Sequence, residues 1–346
     1  MKKTLISLAI ATGMVASGAA MAEGEPTVYG IVHVSINQFD TTNASGTAVN
    51  ANEDKMYMSS NTTAIGVKGS EDLGDGMKAL YKLEFQVNVA GNGGGLADRD
   101  QWVGLKGGMG TVKFGTMSSN YKQMGGKVDP FYRTLAEGRG VLNMQSPYLH
   151  GGQGDDRGRM NRAVQYSSPK MGGMQMVLNV GMSGAGAGGG PDDETIGVGF
   201  RYETKDLMAY FDYIEPGYQG ANAESAMKFG AKYDAGSFSV AAQMEMTEDF
   251  YAGPAGGFGD FMFIAGTFKI DGNNSVSATF GNQDKISDSF AIGYTHKMSK
   301  QTDVYALYGD ISEDTPGTCV ALSVAGAGNA CRDDDSLMSF GIRKKF

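Results

Sequence analysis

Side chains able to do bond-making or metal chemistry are few in this chain, and they are scattered. The three histidines, His33, His150 and His296, lie far apart, and there is no CxxC pair. Neither a zinc site nor a histidine-based catalytic group is spelled out. Two cysteines, Cys319 and Cys331, stand close together near the C-terminus. In an exported chain they meet an oxidising compartment, and a disulfide between them is expected. Closing a short loop, it would stabilise by about 3 kcal/mol through chain entropy. The run GAGAGGG at 184–190 lacks the strand-then-helix setting of a phosphate cradle. The acidic clusters DDE (192–194) and DDD (333–335) lack EF-hand spacing and read as solvated loops. No Ser/His/Asp or paired-acid constellation stands out, so no enzyme and no cofactor are expected. No basic patch interleaved with aromatics points to nucleic acid. What remains is electrostatics: lysines and arginines set along alternating segments, whose meaning depends on which way each side chain points.

The N-terminus supplies an address. Lys2 and Lys3 precede an uncharged run from Leu5 to Ala20, then the small-x-small pattern Ala20-Met21-Ala22 and Glu23. This is the layout of a secretory signal peptide cut after Ala22. Residues 1–22 are set apart, and 23–346 are taken as one domain. After the leader, no stretch approaches the ~18 apolar residues of a membrane helix. Mean hydropathy is −0.25, and formal net charge is −9. Those values suit a soluble chain, but they also suit a membrane β-barrel, whose strands are half polar. Glycine is high, at 53 residues, and proline low, at 8. Without a three-residue period, the glycines exclude collagen. They disfavour helix interiors and point to a β-rich fold.

The elements that must position the charges alternate with period 2. In YKLEFQVNV (81–89), Tyr81, Leu83, Phe85, Val87 and Val89 share one face, with Lys82, Glu84, Gln86 and Asn88 on the other. GMQMVLNVGM, ETIGVGFRYE and SAMKFGAKYD repeat the scheme. The segments are about 9–12 residues long, against ~5–6 in soluble strands and ~9–11 for a tilted transmembrane strand. Aromatics near strand ends, including Tyr81, Trp102, Tyr202, Tyr233, Tyr294 and Phe346, suit interface girdles. Connections alternate short and long, as periplasmic turns and extracellular loops do. Sixteen strands are expected, near 27–37, 55–69, 77–89, 98–106, 111–116, 159–168, 173–182, 194–203, 207–214, 225–233, 237–247, 260–270, 274–282, 287–297, 302–311 and 335–346. The expected fold is all-β, a 16-stranded antiparallel transmembrane barrel enclosing water.

TVYGIVHVSI, IGVKGSEDLGDGMKALYKLE (65–84), DRDQWVGLKGGMGTVKFGT (98–116), GRMNRAVQYSSPKMGGM (158–174) and the closing FGIRKKF resemble the general porins of the Gram-negative outer membrane. The resemblance implies a homotrimer of barrels in outer-membrane lipid and lipopolysaccharide, each a passive channel for small hydrophilic solutes and ions. A substrate-specific channel of the same fold, for a sugar or an anion, is the alternative. It also implies that the third extracellular loop, here Met117 to Gly158, folds inward and presents acids, at Asp129 and Glu137, across from a basic wall. The wall residues it implies are Arg99, Arg159 and Arg162, with Lys82 and Lys113 joining them by parity. Taking Trp102 as lipid-facing puts Arg99 and Gln101 on the lumen side. The loop's other charges, among them Lys122, Lys127, Arg133 and Arg139, leave it near neutral. The net charge favours cations mildly, although local pore residues outweigh the total. In the proteins it resembles, a terminal Phe, here Phe346, is the assembly signal read by the outer-membrane insertion machinery.

Overall fold

The computed structural model describes residues 24–42, 56–91, 95–140, 142, 144–145, 158–182, 194–215, 225–247, 260–284, 287–313 and 334–346. The expected leader and the expected Cys319–Cys331 bridge lie outside the described residues. The strands are β1 (Thr27–Thr42), β2 in two segments (Met56–Ser60 and Ala64–Gly74), β3 (Met77–Gln86), β4 (Ala97–Gly107), β5 (Gly110–Ser118), β6 (Arg159–Ser167), β7 (Met174–Gly181) and β8 (Thr195–Glu203). They continue as β9 (Leu207–Glu215), β10 (Ala226–Asp234), β11 (Phe238–Met246), β12 (Phe261–Lys269), β13 (Asn274–Gln283), β14 (Ser287–Lys297), β15 (Thr302–Glu313) and β16 (Asp334–Lys345). Helix α1 (Asn120–Val128) follows β5. Each strand pairs antiparallel with its neighbours, and β16 pairs back onto β1, so the sheet closes. Closure is obligatory in lipid, where an open edge would leave backbone groups without partners.

The seam ladder runs from Thr42–Asp334 to Ile31–Lys345, and Phe346 extends it. Gly30 N donates to Phe346 O at 3.0 Å, and Phe346 N donates to Gly30 O at 3.2 Å. A Cβ on Gly30 would collide with the Phe346 ring.

Burial is inverted relative to a soluble protein. Ile264 is 47% and Phe340 61% exposed, while Asp212, Lys228 and Glu245 are fully buried. The apolar face points outward and the polar face inward, as the bilayer demands. The largest hydrophobic cluster lies where the connection after β5 meets the inner wall. Met124, Val128, Phe131, Leu142 and Met144 pack there with Phe263, Ala291, Leu307 and Leu337.

Besides the shift between Asp72 and Gly74 at the turn from β2 to β3, three irregularities among the described residues interrupt the alternation. In β2, residues 61–63 stand opposite only Val32 and His33, between the pairs Val34–Ser60 and Ile31–Ala64. The Thr63 hydroxyl fills in there, accepting from His33 N at 3.0 Å and donating to His33 O at 3.1 Å. The other two shifts lie in β4 and β6. Each adds a residue and so reverses which parity faces lipid beyond it.

Candidate functional site: a cationic cavity between wall and loop

Helix α1 starts at Ser119, whose hydroxyl accepts from Lys122 N at 3.0 Å, the usual N-cap arrangement. The helix is latched to the wall by a row of buried charges. Asp212, Lys228 and Glu245 sit side by side on β9, β10 and β11. Asn120 Nδ2 donates to Asp212 Oδ1 at 3.0 Å, and Tyr121 OH donates to Glu245 Oε2 at 2.7 Å. Lys228 Nζ lies over the Tyr121 ring, 4.1 Å from its centroid. Close approach needs a bare wall: a Cβ on Gly197 would strike the Asn120 amide. Lys228→Ala should therefore leave two buried carboxylates without the cation between them and cost about 3–5 kcal/mol, read as a lower temperature for loss of the folded barrel band on gels. Tyr121→Phe, which strands only Glu245 Oε2, should cost about 1–3 kcal/mol. Equal stability of all three proteins would refute the latch.

Beyond α1, the loop's acids turn into its own fold. Asp129 Oδ1 accepts from Phe131 N at 2.8 Å and Oδ2 from Gly138 N at 2.7 Å. Burial is the largest influence on this carboxyl and pushes it up to about 7, against those two donors. Glu137 accepts from Arg133 N at 2.6 Å and pairs with Arg139 at 3.1 Å. Both acids are buried. The expectation that Asp129 and Glu137 face the basic wall is corrected on this point: they hold the loop's backbone instead, because buried N–H groups need acceptors.

The wall opposite is shaped by the bulge in β4. Leu83 pairs with Gln101 and Phe85 with Asp98, so Glu84 alone faces Arg99 and Asp100. Both extra side chains turn inward. Arg99 Nε donates to Glu84 Oε1 at 2.6 Å. Lys82 Nζ lies 3.1 Å from Glu84 Oε2 and 3.2 Å from Asp100 Oδ2. Arg159 Nε donates to Asp100 Oδ1 at 3.1 Å. After the bulge, Val103 and Leu105 face outward and Trp102 lines the cavity, with Lys113 Nζ 4.7 Å from its ring centroid. The lipid-facing placement of Trp102 is thus overturned. Arg99 reaches the lumen side through the bulge and not through simple parity. Outward-pointing Val103 and Leu105 were the sequence signal for the reversal.

Arg162 departs from the expected wall. It stands in the β6 bulge, where Asn161 and Arg162 both oppose Thr116. Its φ is 50°, it is exposed, and it does not line the cavity.

The cavity measures about 360 Å³. Among the described residues, the wall lines it with Lys82, Arg99, Lys113 and Arg159, and the loop with Lys122, Lys127 and Arg133. Glu84 and Asp100 are the carboxylates that line it. The four expected wall residues Lys82, Arg99, Lys113 and Arg159 are brought together, while the three loop cations were legible only as members of a near-neutral loop. Burial, reinforced by Arg159, Arg139 and Arg99, pulls the Lys122 ammonium down to about 6. Burial also lowers Lys127. Such a lining presents seven cationic side chains and two carboxylates to an ion that enters the cavity.

A closed barrel, apolar outside and charged within, defines a membrane-spanning β-barrel channel. The chain belongs to the Gram-negative porin family, whose profile matches residues 7–316. It is 30% identical over 217 residues to a major outer membrane protein P.IB of Neisseria gonorrhoeae, covering 61% of this chain and 56% of that protein's length. It is 26% identical to an outer membrane porin protein of Bordetella pertussis, covering 94% of this chain and 99% of the relative. Its fold is similar to that of an anion-selective porin from Comamonas acidovorans, with a TM-score of 0.75 at 21% identity over 94% of this chain and 100% of the other. Its place is the Gram-negative outer membrane.

Proposed function

We propose that this protein is a general diffusion porin, a water-filled channel for small hydrophilic solutes and ions, narrowed by the connection after β5 and favouring anions. The cationic cavity carries this reading: seven cations against two carboxylates line it. The net charge of −9 favoured cations, but a permeating ion responds to charges within a Debye length, about 10 Å at 0.1 M salt. Arg99, Arg159, Lys82 and Lys113 form the basic wall in this reading, and Asp129 and Glu137 are scaffolding. The solved porin of similar fold is described as anion-selective, which agrees with the preference. Homotrimeric assembly, contact with lipopolysaccharide and recognition of Phe346 by the insertion machinery are part of this reading, and the family membership supports them. The mechanism is sieving by size and charge, with no chemical step.

Single-channel recording in planar bilayers tests the proposal. Steady ohmic conductance with an anion-directed reversal potential is the expected result. Well-folded protein without conductance would sink it. Current that saturates with one solute would favour the substrate-specific alternative.

The preference should also depend on pH. A lysine whose pKa is lowered to about 6 is mostly neutral above that value and gains its proton below it. Anion preference should therefore strengthen as pH falls through 6, and Lys122→Met should flatten the profile. Reversal potentials in a salt gradient check this, and an equally steep profile in the variant would remove Lys122 from the account.

A further inference from the structure

The outward face near the barrel seam is not evenly filled. Along one row, Tyr294, Ala306, Phe340, Ile36 and Met58 are successive cross-strand partners on β14, β15, β16, β1 and β2. Ala306 is a small side chain between two large exposed rings, Tyr294 and Phe340. Two hollows of about 580 and 390 Å³ meet there, sharing Tyr294, Ala306 and Phe340. Together they make an apolar trough running along the strands.

Directly below the trough, the surface changes sign. The outward column of β16 reads Phe340, Ile342, Lys344, and Lys344 pairs in register with Val32 and Thr302. Lys300 stands on the adjoining β14–β15 connection and is exposed, as is Lys344; Lys297, which ends β14, and Lys345 are also exposed but have the inward parity. The nearby acid Asp303 is taken up by Arg343, whose Nε donates to it at 2.7 Å. The lysines meet mixed surroundings: Lys344 Nζ donates to the neutral Gln301 Oε1 at 3.5 Å, whereas Asp271 stands beside Lys297, whose N donates to Asn273 O. They lie at the short-turn end of the barrel, which in outer-membrane barrels faces the periplasm. That leaflet holds phospholipid, and a phosphate headgroup satisfies snorkelling lysines.

We infer that this trough and the lysine row beneath it form one seat for an anionic phospholipid, with an acyl chain lying across Ala306 and the headgroup phosphate held by Lys344 and Lys300. The shape selects a chain, and the charge selects a phosphate without a compensating amine. This site is separate from the conducting cavity, and its test does not depend on ion flow.

Detergent-purified protein titrated with phosphatidylglycerol or phosphatidylethanolamine, and read by native mass spectrometry, tests the seat. Phosphatidylglycerol should be retained over phosphatidylethanolamine by at least about fivefold, the scale of one lysine–lipid contact. The double change Lys300→Gln and Lys344→Gln should abolish that preference without disturbing the barrel. Ala306→Phe should fill the trough and reduce retention of both lipids severalfold. Equal retention of the two lipids by the unaltered protein would overturn the proposal, as would unchanged retention in both variants. If Ala306→Phe instead dissociated an oligomer and left lipid retention intact, the trough would belong to a second copy of this chain, and the lipid seat would be refuted.

Discussion

Changing Lys113 and Lys127 together to glutamate should abolish the proposed anion preference. Both side chains line the cavity, and neither belongs to the close wall pairs that Lys82, Arg99 and Arg159 make with Glu84 and Asp100. Seven cations against two carboxylates become five against four. Near neutral pH, Lys122, lowered to about 6, is largely uncharged, so the lining is balanced. The anion-to-cation permeability ratio should fall roughly tenfold, about 1.4 kcal/mol of relative free energy. The readout is the reversal potential under a salt gradient, at low ionic strength where screening is weakest. Total conductance should change far less than the ratio, since in the proposed function the packed loop sets the size of the constriction. A ratio that stays put would mean that ions bypass this cavity.

Removing Phe346 should have the second large effect, on assembly rather than conduction. Its backbone makes two hydrogen bonds to Gly30 across the seam, each worth about 1 kcal/mol in water and more where no water can substitute. Its ring lies against the position where Gly30 has no side chain. Without it, the first and last strands meet with unsatisfied ends. The yield of folded barrel in the outer membrane should drop by about tenfold or more, whereas the few assembled channels should conduct normally. Phe346→Tyr, which keeps ring and backbone, should assemble well. Gly30→Val should reproduce the loss by pushing the ring away. Undiminished yield from the truncated chain would count against Phe346 as an assembly determinant.

Much of the architecture was legible because strand geometry is local. Side chains in a strand alternate whatever the strand pairs with, so Tyr202 and Phe200, or Phe340 and Ile342, could be placed outward without coordinates. Most observed strand ends lie within a few residues of those expected. The antiparallel closure follows from an even strand number and the prohibition on edges in lipid. The same rule puts Lys82, Glu84 and Lys113 on the inner face.

The errors share one cause. The lipid-facing expectation for Trp102 and the wall position that the resemblance implies for Arg162 both fall where strand alternation breaks. The bulges at Arg99–Asp100 and Asn161–Arg162 each add a residue to one strand, and the addition exists only relative to a partner's hydrogen bonds. The loop differs in kind. Its composition is near neutral, yet Lys122, Lys127 and Arg133 line the cavity while Asp129 and Glu137 cap buried backbone.

By itself, then, the sequence determined the barrel, its two faces, its membrane and its family, since period and motif are written along the chain. Only the tertiary structure decided the sign of the cavity. Which charges meet water and which are consumed by buried N–H groups depends on contacts between residues distant in sequence, and no local pattern encodes that choice.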